Sequence, residues 1–448
     1  MNTIRRKEAI VLLIGDIFVL FISLYLTITL RYGSLPSQDF LFSHLLPFSI
    51  LFLVAILINF ISGLYEKHTL VLKSKLPKTL TQVQIANTIV SIAFFYFIPY
   101  FVITPKITLF MYLVISLVIM VAWRMAIAET LGSRRRYRAL LLAQGEEAQE
   151  LFKEINNNQR YGFYLEWINT SETFITSEQI IDLVRSKKIS LVIADFSNQK
   201  INEIMPTLYN LIFSGVQFAD VQKIYEEIFD RVPLSLVNDI WFLENVSSTT
   251  KVSFDIFKRL MDIAVSFMGG LISLIFYPFI YLAIKLDDGG DTFIIQERIG
   301  KNNKIIRIKK FRTMTRNDEG KYKNGLLSEN KVTRIGSFLR KSRLDELPQF
   351  WNVFVGDLAL VGPRPELPSL VEVYDKKISY YNMRHIIKPG LFGWAQIYHE
   401  NHPHHSEAIM QTKEKLSYDF YYIKNRSILL DLKIVLQTCK VLLSFVGR

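Results

Sequence analysis

An adjacent pair of acids, Asp345 and Glu346, is the part of this sequence best suited to chemistry. Arg340 and Arg343 precede the pair, and the segment Pro363-Arg364-Pro365 follows it. One carboxylate can attack a phosphorus atom while its neighbour holds a metal ion, and guanidinium groups can neutralise phosphate oxygens. The pattern therefore predicts catalysis on a phosphate group.

The acid pair also has a second interpretation, as the ordinary start of a helix. Negative side chains stabilise the first turn of a helix, and a proline such as Pro348 is tolerated there. The arginines around the pair, together with the motifs described below, favour catalysis over this structural role.

The first third of the chain is predicted to cross a membrane. The chain has 448 residues, of which 50% are hydrophobic. Four apolar runs, at residues 9–30, 46–65, 86–103 and 107–126, each have about the length of a membrane-spanning helix. We therefore expect four transmembrane helices in region 1–130. Asp16 is the one charge in the first run, and we interpret it as packing inside the bundle, with a functional role as the alternative.

Basic residues flank these runs unevenly and predict the orientation. They lie before the first run, after the second and after the fourth, which places both ends of the bundle in the cytoplasm. We expect a multi-pass membrane protein, whose formal charge of +12 faces anionic membrane lipid or phosphorylated substrates. No nucleic acid partner is expected, because no nucleic-acid motif is present. A single cysteine, Cys439, excludes an intrachain disulfide.

The middle of the chain, residues 131–250, alternates predicted strands and helices. Strands are expected at 139–142, 189–195 and 216–219, and helices at 146–156 and 201–214, which indicates a small parallel α/β domain. The first strand-to-helix turn has one glycine and two acids instead of a G-x-G-x-x-G loop. We therefore favour a spacer or regulatory domain over a dinucleotide-binding one.

A fifth apolar run, at residues 263–284, is long enough to span a membrane. Lysines and arginines flank it on both sides, so both of its ends are expected in the cytoplasm. Pro278 removes one backbone hydrogen bond and supplies a break. We predict that the segment enters the membrane and returns on the same side; an ordinary kinked spanning helix is the alternative.

The chain from about residue 254 onward carries a series of short motifs in a fixed order. They are Lys258-Arg259-Leu260-Met261-Asp262, Phe293-x-x-Gln296-x-Arg298-x-Gly300, Lys310-Phe311-Arg312-Thr313-Met314, Leu344-Asp345-Glu346-Leu347-Pro348-Gln349, Leu360-Val361-Gly362-Pro363-Arg364-Pro365, Lys388-Pro389-Gly390, Gly393-Trp394-Ala395-Gln396 and Tyr418-Asp419. This series resembles the bacterial sugar transferases, the monotopic phosphoglycosyl transferases that begin polyprenol-linked glycan synthesis. Tyr277, Asp291 and Ile295 depart from the family pattern.

The resemblance implies a fold class, a membrane α-helical bundle plus α/β. It comprises four transmembrane helices, a small degenerate Rossmann-like domain at 131–250, and a phosphoglycosyl transferase domain with a re-entrant helix at 251–448. Large members of the family are commonly dimers, so a homodimer is possible.

The resemblance also implies roles for individual residues. Asp345 matches the nucleophile and Glu346 its Mg²⁺-associated partner, while Arg340 and Arg364 match phosphate-contacting arginines. Pro363 and Pro365 restrict the backbone around Arg364.

Four further residues have two open interpretations each. Lys258, Arg259 and Asp262 either contact lipid phosphate or anchor the apolar helix, and Asp419 either lies near the site or makes a structural hydrogen bond. The histidines His399, His402, His404 and His405 do not favour zinc, because no acid or cysteine completes a plausible ligand set.

The predicted function is transfer of a sugar-1-phosphate from a UDP-sugar to undecaprenyl phosphate, with release of UMP and a covalent aspartyl-phosphosugar intermediate. Such an enzyme would initiate exopolysaccharide, capsule or O-antigen synthesis. A membrane-bound sugar-nucleotide dehydratase is excluded, because the NAD loop is missing and Tyr281 with Lys285 falls in the apolar segment. A non-catalytic membrane scaffold or regulator of polysaccharide assembly remains the alternative.

Overall fold

The chain forms two compact units in a computed structural model, Met1–Ala219 and Asp220–Arg448. The structure describes residues 2–62, 64–65, 76–97, 106–132, 137–158, 161, 163–170, 176–247, 252–315, 331–398 and 409–443. The predicted domain boundaries at 130 and 250 stay predictions; residues 220–247 pack with the second unit, where Val232, Trp241 and Phe242 join its hydrophobic core.

The first unit begins with four long helices, as the apolar runs predict. These are α1 (Asn2–Tyr32), α2 (Gln38–Ile61), α3 (Leu76–Phe97) and α4 (Lys106–Gly132). Three of them contain segments long and apolar enough to cross a membrane, namely Ile10–Tyr32, Gln38–Phe60 and Ile107–Ile127. Within the described residues of α3, the apolar segment is Val83–Phe95.

A buried ion pair joins α1 to α4. The Nη2 atom of Arg124 lies 2.5 Å from Oδ2 of Asp16, and both side chains are at most 1% exposed. Arg124 also donates to the carbonyl of Leu64 at 2.8 Å, and the Tyr65 hydroxyl donates to Asp16 at 2.8 Å. The interpretation that Asp16 packs inside the bundle is therefore confirmed.

The rest of the first unit is an α/β layer. Its strands are β1 (Tyr137–Ala143), β2 (Phe163–Asn169), β3 (Ile189–Ala194) and β4 (Gln217–Asp220), in the order β2-β1-β3-β4. Strand β1 pairs in parallel with both β2 and β3. The helices are α5 (Glu146–Asn157), α6 (Ser177–Ser186), α7 (Gln199–Glu203) and α8 (Met205–Ile212).

The predicted strands and helices of this layer are present. The structure adds one strand and one helix to them, and it divides one predicted helix into two. Sequence analysis missed β2 and α6. The single helix expected at 201–214 is divided into α7 and α8, because Pro206 in the first turn of α8 has no backbone N–H to continue a helix.

The second unit is built around one long helix, α11. Its elements are α9 (Val221–Phe229), α10 (Asp239–Phe242), α11 (Val252–Asp288), β5 (Phe293–Ile299), β6 (Ile305–Phe311), α12 (Arg334–Ser342), α13 (Gln349–Val355), β7 (Ala359–Val361), α14 (Pro368–Lys377), β8 (Gly390–Phe392), α15 (Trp394–Tyr398), α16 (Ile409–Asn425) and α17 (Ile428–Leu443). Strands β5 and β6 form an antiparallel hairpin, and β7 pairs in parallel with β8.

Both ends of α11 are attached to the same unit. Near its start, Lys258 pairs with Asp431 of α17 at 2.6 Å. At its end, Asp288 pairs with Arg312, which follows β6, and Asp287 accepts the backbone N–H of Ile335 in α12 at 3.0 Å. The helix is continuous through Pro278, so the change of direction expected there stays a prediction.

The ion pair in the bundle generates a stability prediction. Replacing Asp16→Asn leaves the Arg124 charge buried without a counter-charge, which should lower the stability of the bundle by roughly 3–5 kcal/mol. Thermal unfolding of the full chain in detergent measures this loss. The double change Asp16→Leu with Arg124→Met removes both charges and should recover part of the loss; equal midpoints for the wild type and the single variant would contradict the prediction.

Candidate active site

The acid pair lies in a tight turn between two short helices. Helix α12 ends at Ser342, its C-cap residue Arg343 has a left-handed backbone with φ 56°, and a 3-10 turn follows at Leu344–Glu346. Gly336 lets α12 approach the end of the β hairpin, because a Cβ there would lie 2.0 Å from the carbonyl oxygen of Thr313. The sequence thus places both acids at the junction of α12, α13 and β6.

Glu346 is surrounded by cations. Its Oε1 atom accepts a hydrogen bond from Nη2 of Arg364 at 2.6 Å and lies 3.7 Å from Nη1 of Arg343. Burial alone would raise the pKa of Glu346, but the charges of Arg364, Arg343 and Lys310 outweigh it and lower the pKa to about 2. Glu346 is therefore ionised at any physiological pH.

Asp345 has a different environment although it is the next residue. Its side chain accepts no hydrogen bond within the described residues, and the residue is only 9% exposed. Burial raises the pKa of Asp345 to about 6, the negative charge of Glu346 adds to the effect, and Lys310, Arg364 and Arg340 oppose it. A carboxylate that is ionised near neutral pH and holds no hydrogen bond is available as a nucleophile.

Within the described residues, the acid pair makes no capping hydrogen bond to the helix that follows it. A capping acid accepts backbone N–H groups of the first turn. Helix α13 has Pro348 at its N-cap, and no side chain there makes a capping hydrogen bond. The acid pair precedes α13 and does not cap it.

Two basic side chains complete the surroundings of the pair. The Nε atom of Arg340 donates to Oγ1 of Thr313 at 2.9 Å, which orients its guanidinium. Lys310 is half-buried on β6. Burial and the nearby charge of Arg298 lower the pKa of Lys310 to about 8, while the two acids oppose this shift.

The segment Pro363-Arg364-Pro365 is held through its backbone. Its three carbonyls accept hydrogen bonds, in order, from the N–H of Gly390 at 2.9 Å, Nη2 of Arg384 at 3.1 Å and Nη1 of Arg298 at 3.4 Å. Both prolines are buried. They act by positioning Arg364, which agrees with the expected restriction of its backbone.

Asp419 acts on this segment indirectly, through an ion pair with Arg384. Its Oδ2 atom lies 2.6 Å from Nη2 of Arg384, and the two side chains are 2% and 4% exposed. Arg384 also donates to the Tyr381 hydroxyl at 2.6 Å. Asp419 therefore fits the structural interpretation, because it neutralises the buried arginine that holds the Arg364 carbonyl.

The basic motif of α11 forms a separate cluster. Lys258 pairs with Asp431, Arg259 donates to the carbonyls of Val353 and Phe354 at 2.8 Å each, and Asp262 is buried. Among the described residues, none of these three side chains hydrogen-bonds to the acid pair. The contacts favour anchoring of α11, while the lipid-contact prediction stays open.

The acid pair has the donor set that a magnesium ion requires. Mg²⁺ commonly takes one or two carboxylates and completes its shell with water and substrate phosphate. Both arginines approach Oε1 of Glu346, and Oε2 accepts no hydrogen bond from the residues that the structure describes. Within the same residues no larger cluster of His, Cys, Asp or Glu could hold a metal, and the four histidines lie outside them.

Lys310 and Arg384 were not predicted as members of the site. Strand β6 buries alternate residues, with Ile308 buried and Ile305, Arg307 and Lys309 exposed. The same alternation places Lys310 on the inner face, where a lysine is an unusual and informative residue. No local pattern marks Arg384, because its partner Asp419 is distant in sequence.

The region that contains this site is similar in sequence to known proteins. Residues 253–445 match the family described as bacterial sugar transferase. A UDP-N-acetylgalactosamine-undecaprenyl-phosphate N-acetylgalactosaminephosphotransferase of Aeromonas hydrophila is 40% identical over 198 residues, 42% of this chain and 44% of that protein. A UDP-glucose:undecaprenyl-phosphate glucose-1-phosphate transferase of Klebsiella pneumoniae is 39% identical over 188 residues, 41% and 39% of the two chains.

A shorter relative is covered almost completely. An uncharacterized sugar transferase of Bacillus subtilis is 39% identical over 191 residues, which are 42% of this chain and 89% of that protein. By contrast, the chain spans less than half the length of the Aeromonas and Klebsiella proteins.

The Arg384–Asp419 pair generates a prediction with a matched control on the same helix. Asp419→Asn leaves Arg384 buried without a counter-charge and should cost roughly 3–5 kcal/mol of stability. Glu414→Gln, also on α16, breaks the more exposed pair with Arg231 and should cost at most about 1 kcal/mol. Thermal unfolding of both variants measures the two stability losses, and similar midpoints would contradict the larger contribution of the buried pair.

Proposed function

This chain belongs to the bacterial sugar transferase family, and from the geometry of its acid pair we propose that it transfers a sugar-1-phosphate from a UDP-sugar to undecaprenyl phosphate, releasing UMP. The observation that carries the proposal is the contrast between the two acids. Glu346 is fixed in ion pairs with arginines, whereas Asp345 is buried with a carboxylate free of hydrogen bonds within the described chain. The names of the Aeromonas and Klebsiella relatives support the same reaction class.

The proposed reaction has two displacement steps at one phosphorus atom. An oxygen of Asp345 attacks the β-phosphorus of the UDP-sugar, and the bond from that phosphorus to the bridging oxygen breaks, so UMP leaves with the electron pair. The sugar phosphate is then held as a mixed anhydride on Asp345. An oxygen of undecaprenyl phosphate attacks the same phosphorus and the Asp345 carboxylate leaves, which yields the lipid-diphosphate-sugar.

The cations of the site would counter the charge that makes this reaction difficult. Arg340, Arg364 and Lys310 surround the carboxylate that must approach a negatively charged diphosphate. Arginine can bind phosphate oxygens in a bidentate manner, and a positioned arginine loses little entropy on binding. Glu346, with Asp345 beside it, would hold Mg²⁺, which when bound supplies further neutralisation of the diphosphate.

The proposed site is cytoplasmic and lies at the membrane surface. Both ends of α11 are attached to the second unit, by Lys258–Asp431 and Asp288–Arg312, while residues such as Leu260, Ile275 and Phe279 are exposed. A helix bound at both ends to one globular unit is suited to dip into a bilayer and return, as a re-entrant helix does. The basic residues beside every predicted cytoplasmic segment support the orientation.

The α/β layer of the first unit supports a further part of the proposal. Its strand order β2-β1-β3-β4, with parallel pairing around β1, is that of a doubly wound sheet of the flavodoxin type, a relative of the classic Rossmann arrangement. The turn after β1 has Gly145 at the start of α5, followed by Glu146 and Glu147, which disfavour a pyrophosphate. We therefore propose a Rossmann-like domain that does not bind a dinucleotide.

Product analysis with an Asp345→Asn variant tests the proposal. Membranes containing the wild-type chain, given Mg²⁺, undecaprenyl phosphate and a panel of UDP-sugars, should release UMP and form a lipid-diphosphate-sugar. Asp345→Asn should abolish both products, because an amide is a poor nucleophile, and it should also abolish the mass of a sugar phosphate on the intact protein. Asp375→Asn, on the exposed surface of α14, is the matched control and should keep full activity.

Three outcomes would contradict different parts of the proposal. Release of UDP would indicate glycosyl transfer and would exclude attack by Asp345 on phosphorus. Full activity of Asp345→Asn would exclude this residue as the nucleophile. No product from any UDP-sugar would favour a scaffold or regulator of polysaccharide assembly.

The pKa of Asp345 predicts the pH dependence of the first step. Burial raises this pKa to about 6, and only the ionised form can attack, so the rate should fall as the pH decreases through about 6. The measurement is UMP release in a single turnover without undecaprenyl phosphate, because the acceptor's own titration is then absent. A rate that stays constant down to pH 5 would contradict the role of Asp345.

A further inference from the structure

Two basic side chains, those of Arg259 and Lys388, converge around Gly356 at the end of α13, and the charge of Lys301 acts on Lys388. Gly356 has a left-handed backbone with φ 107°, and a Cβ there would lie 3.1 Å from Nη2 of Arg259 and 3.4 Å from Nζ of Lys388. Lys301, in the turn between β5 and β6, is the third member of this basic cluster. Burial, followed by the charges of Arg259 and Lys301, lowers the pKa of Lys388, which agrees with their proximity.

The charges of this basic cluster are not matched by ion pairs. Within the described residues, no carboxylate lies within ion-pair distance of Arg259, Lys301 or Lys388, and neither lysine ammonium donates a hydrogen bond. The acids that face Lys388 are Asp262 and Asp357. Asp357 accepts a hydrogen bond from the side-chain amide of Asn352, and Asp262 is buried near Lys258, with whose charge it interacts.

The hydrogen bonds of Arg259 give this residue a structural role, but the two lysines make no such contacts within the described residues. Arg259 donates to the carbonyls of Val353 and Phe354 and so caps the negative end of α13. A guanidinium has five N–H donors, and these two bonds use two of them, which leaves three for a ligand. Lys301 and Lys388 have no corresponding structural contact in the described chain.

The basic cluster lies beside an apolar surface. Phe257 and Leu260, which flank Arg259 on α11, are 47% and 62% exposed, and Val355, which precedes Gly356, is 73% exposed. Exposed apolar side chains beside unpaired cations are typical of a surface that enters a bilayer and meets lipid headgroups. A soluble anion would need the cations but not the apolar residues.

We propose that Arg259, Lys301 and Lys388 form a binding site for the phosphate of an anionic membrane lipid, separate from the acid pair. The lipid phosphate accepts N–H bonds from the spare Arg259 donors and from both ammonium groups, and its acyl chains lie along Phe257, Leu260 and Val355. The site attaches the start of α11 and the end of α13 to the membrane surface. The proposed site adds Lys301 and Lys388 to the predicted basic motif. Lys258 is not part of the site, because it pairs with Asp431 and has a structural role.

Lipid binding by the purified full chain tests the site. In a neutral detergent, dioleoylphosphatidylglycerol should raise the thermal unfolding midpoint with saturation, since a ligand that binds the folded state stabilises it. The double variant Lys301→Gln with Lys388→Gln should weaken the apparent affinity about five-fold per lysine, as expected for basic residues at an anionic surface. Arg259 stays unchanged in this variant, so the cap of α13 is kept.

Two matched variants distinguish the site from general charge effects. Lys376→Gln removes one charge from the exposed end of α14 and should leave the affinity unchanged. Lys301→Arg with Lys388→Arg keeps both charges and should bind like the wild type. Binding is measured without turnover, so its result is independent of the proposed transferase reaction.

Several results would overturn the proposal. Dioleoylphosphatidylcholine giving the same shift would show that anionic charge is not selected. Inorganic phosphate giving the same shift would indicate a site for a free anion, and a response to undecaprenyl phosphate alone would assign the basic cluster to the acceptor substrate. Equal affinity of the double glutamine variant and the wild type would remove the lysines from the site.

Discussion

Two carboxylates on adjacent residues repel each other, and the second unit must supply enough positive charge to keep one of them ionised inside the protein. Arg364 and Arg343 are close to Glu346, and Lys310 adds its charge from β6. The result separates the two pKa values, with Glu346 at about 2 and Asp345 at about 6. Such a separation assigns different roles to the two acids, because one is a fixed negative charge and the other is a more basic and less restrained group.

The cations in turn depend on groups that lie farther from the acid pair. Arg364 projects from a segment whose carbonyls are held by Gly390, Arg384 and Arg298. Arg384 is buried and keeps its charge because Asp419 of α16 neutralises it. On the opposite side, Asn352 of α13 bonds both to the N–H of Lys309 and to the carbonyl of Arg307, so β6 and its Lys310 keep a constant position. The geometry of the site therefore depends on contacts from most of the second unit. Few of the residues involved lie close together in the sequence.

This dependence explains which parts were predictable from sequence. The acid pair, Arg340 and Arg343 lie within one short stretch, and apolar runs mark the long helices by composition. Strand β2 was missed because it lies at the edge of its sheet and is only partly buried, so it lacks a continuous apolar run. The pairings Arg384–Asp419 and Lys258–Asp431 join distant parts of the chain, and no spacing rule connects them before the fold is known. Lys310 was the one missed site residue with a local signal, a lysine on the inner face of a strand.

The packing of α11 connects this long apolar helix to the acid pair. Helices α12 and α13 both contact α11, and the acid pair lies in the turn between them. Gly269 and Gly270 allow close approach, since a Cβ on either would lie within about 3 Å of Phe350 or Trp351 on α13. Because short, packed helices cannot shift independently, Asp345 has a fixed position relative to α11. In the proposed re-entrant arrangement, the depth of α11 in a bilayer would therefore set the height of Asp345 above it. In the proposed reaction a lipid phosphate would have to reach this buried carboxylate, and rigid packing on α11 would hold Asp345 at a more constant height than a hinged attachment would.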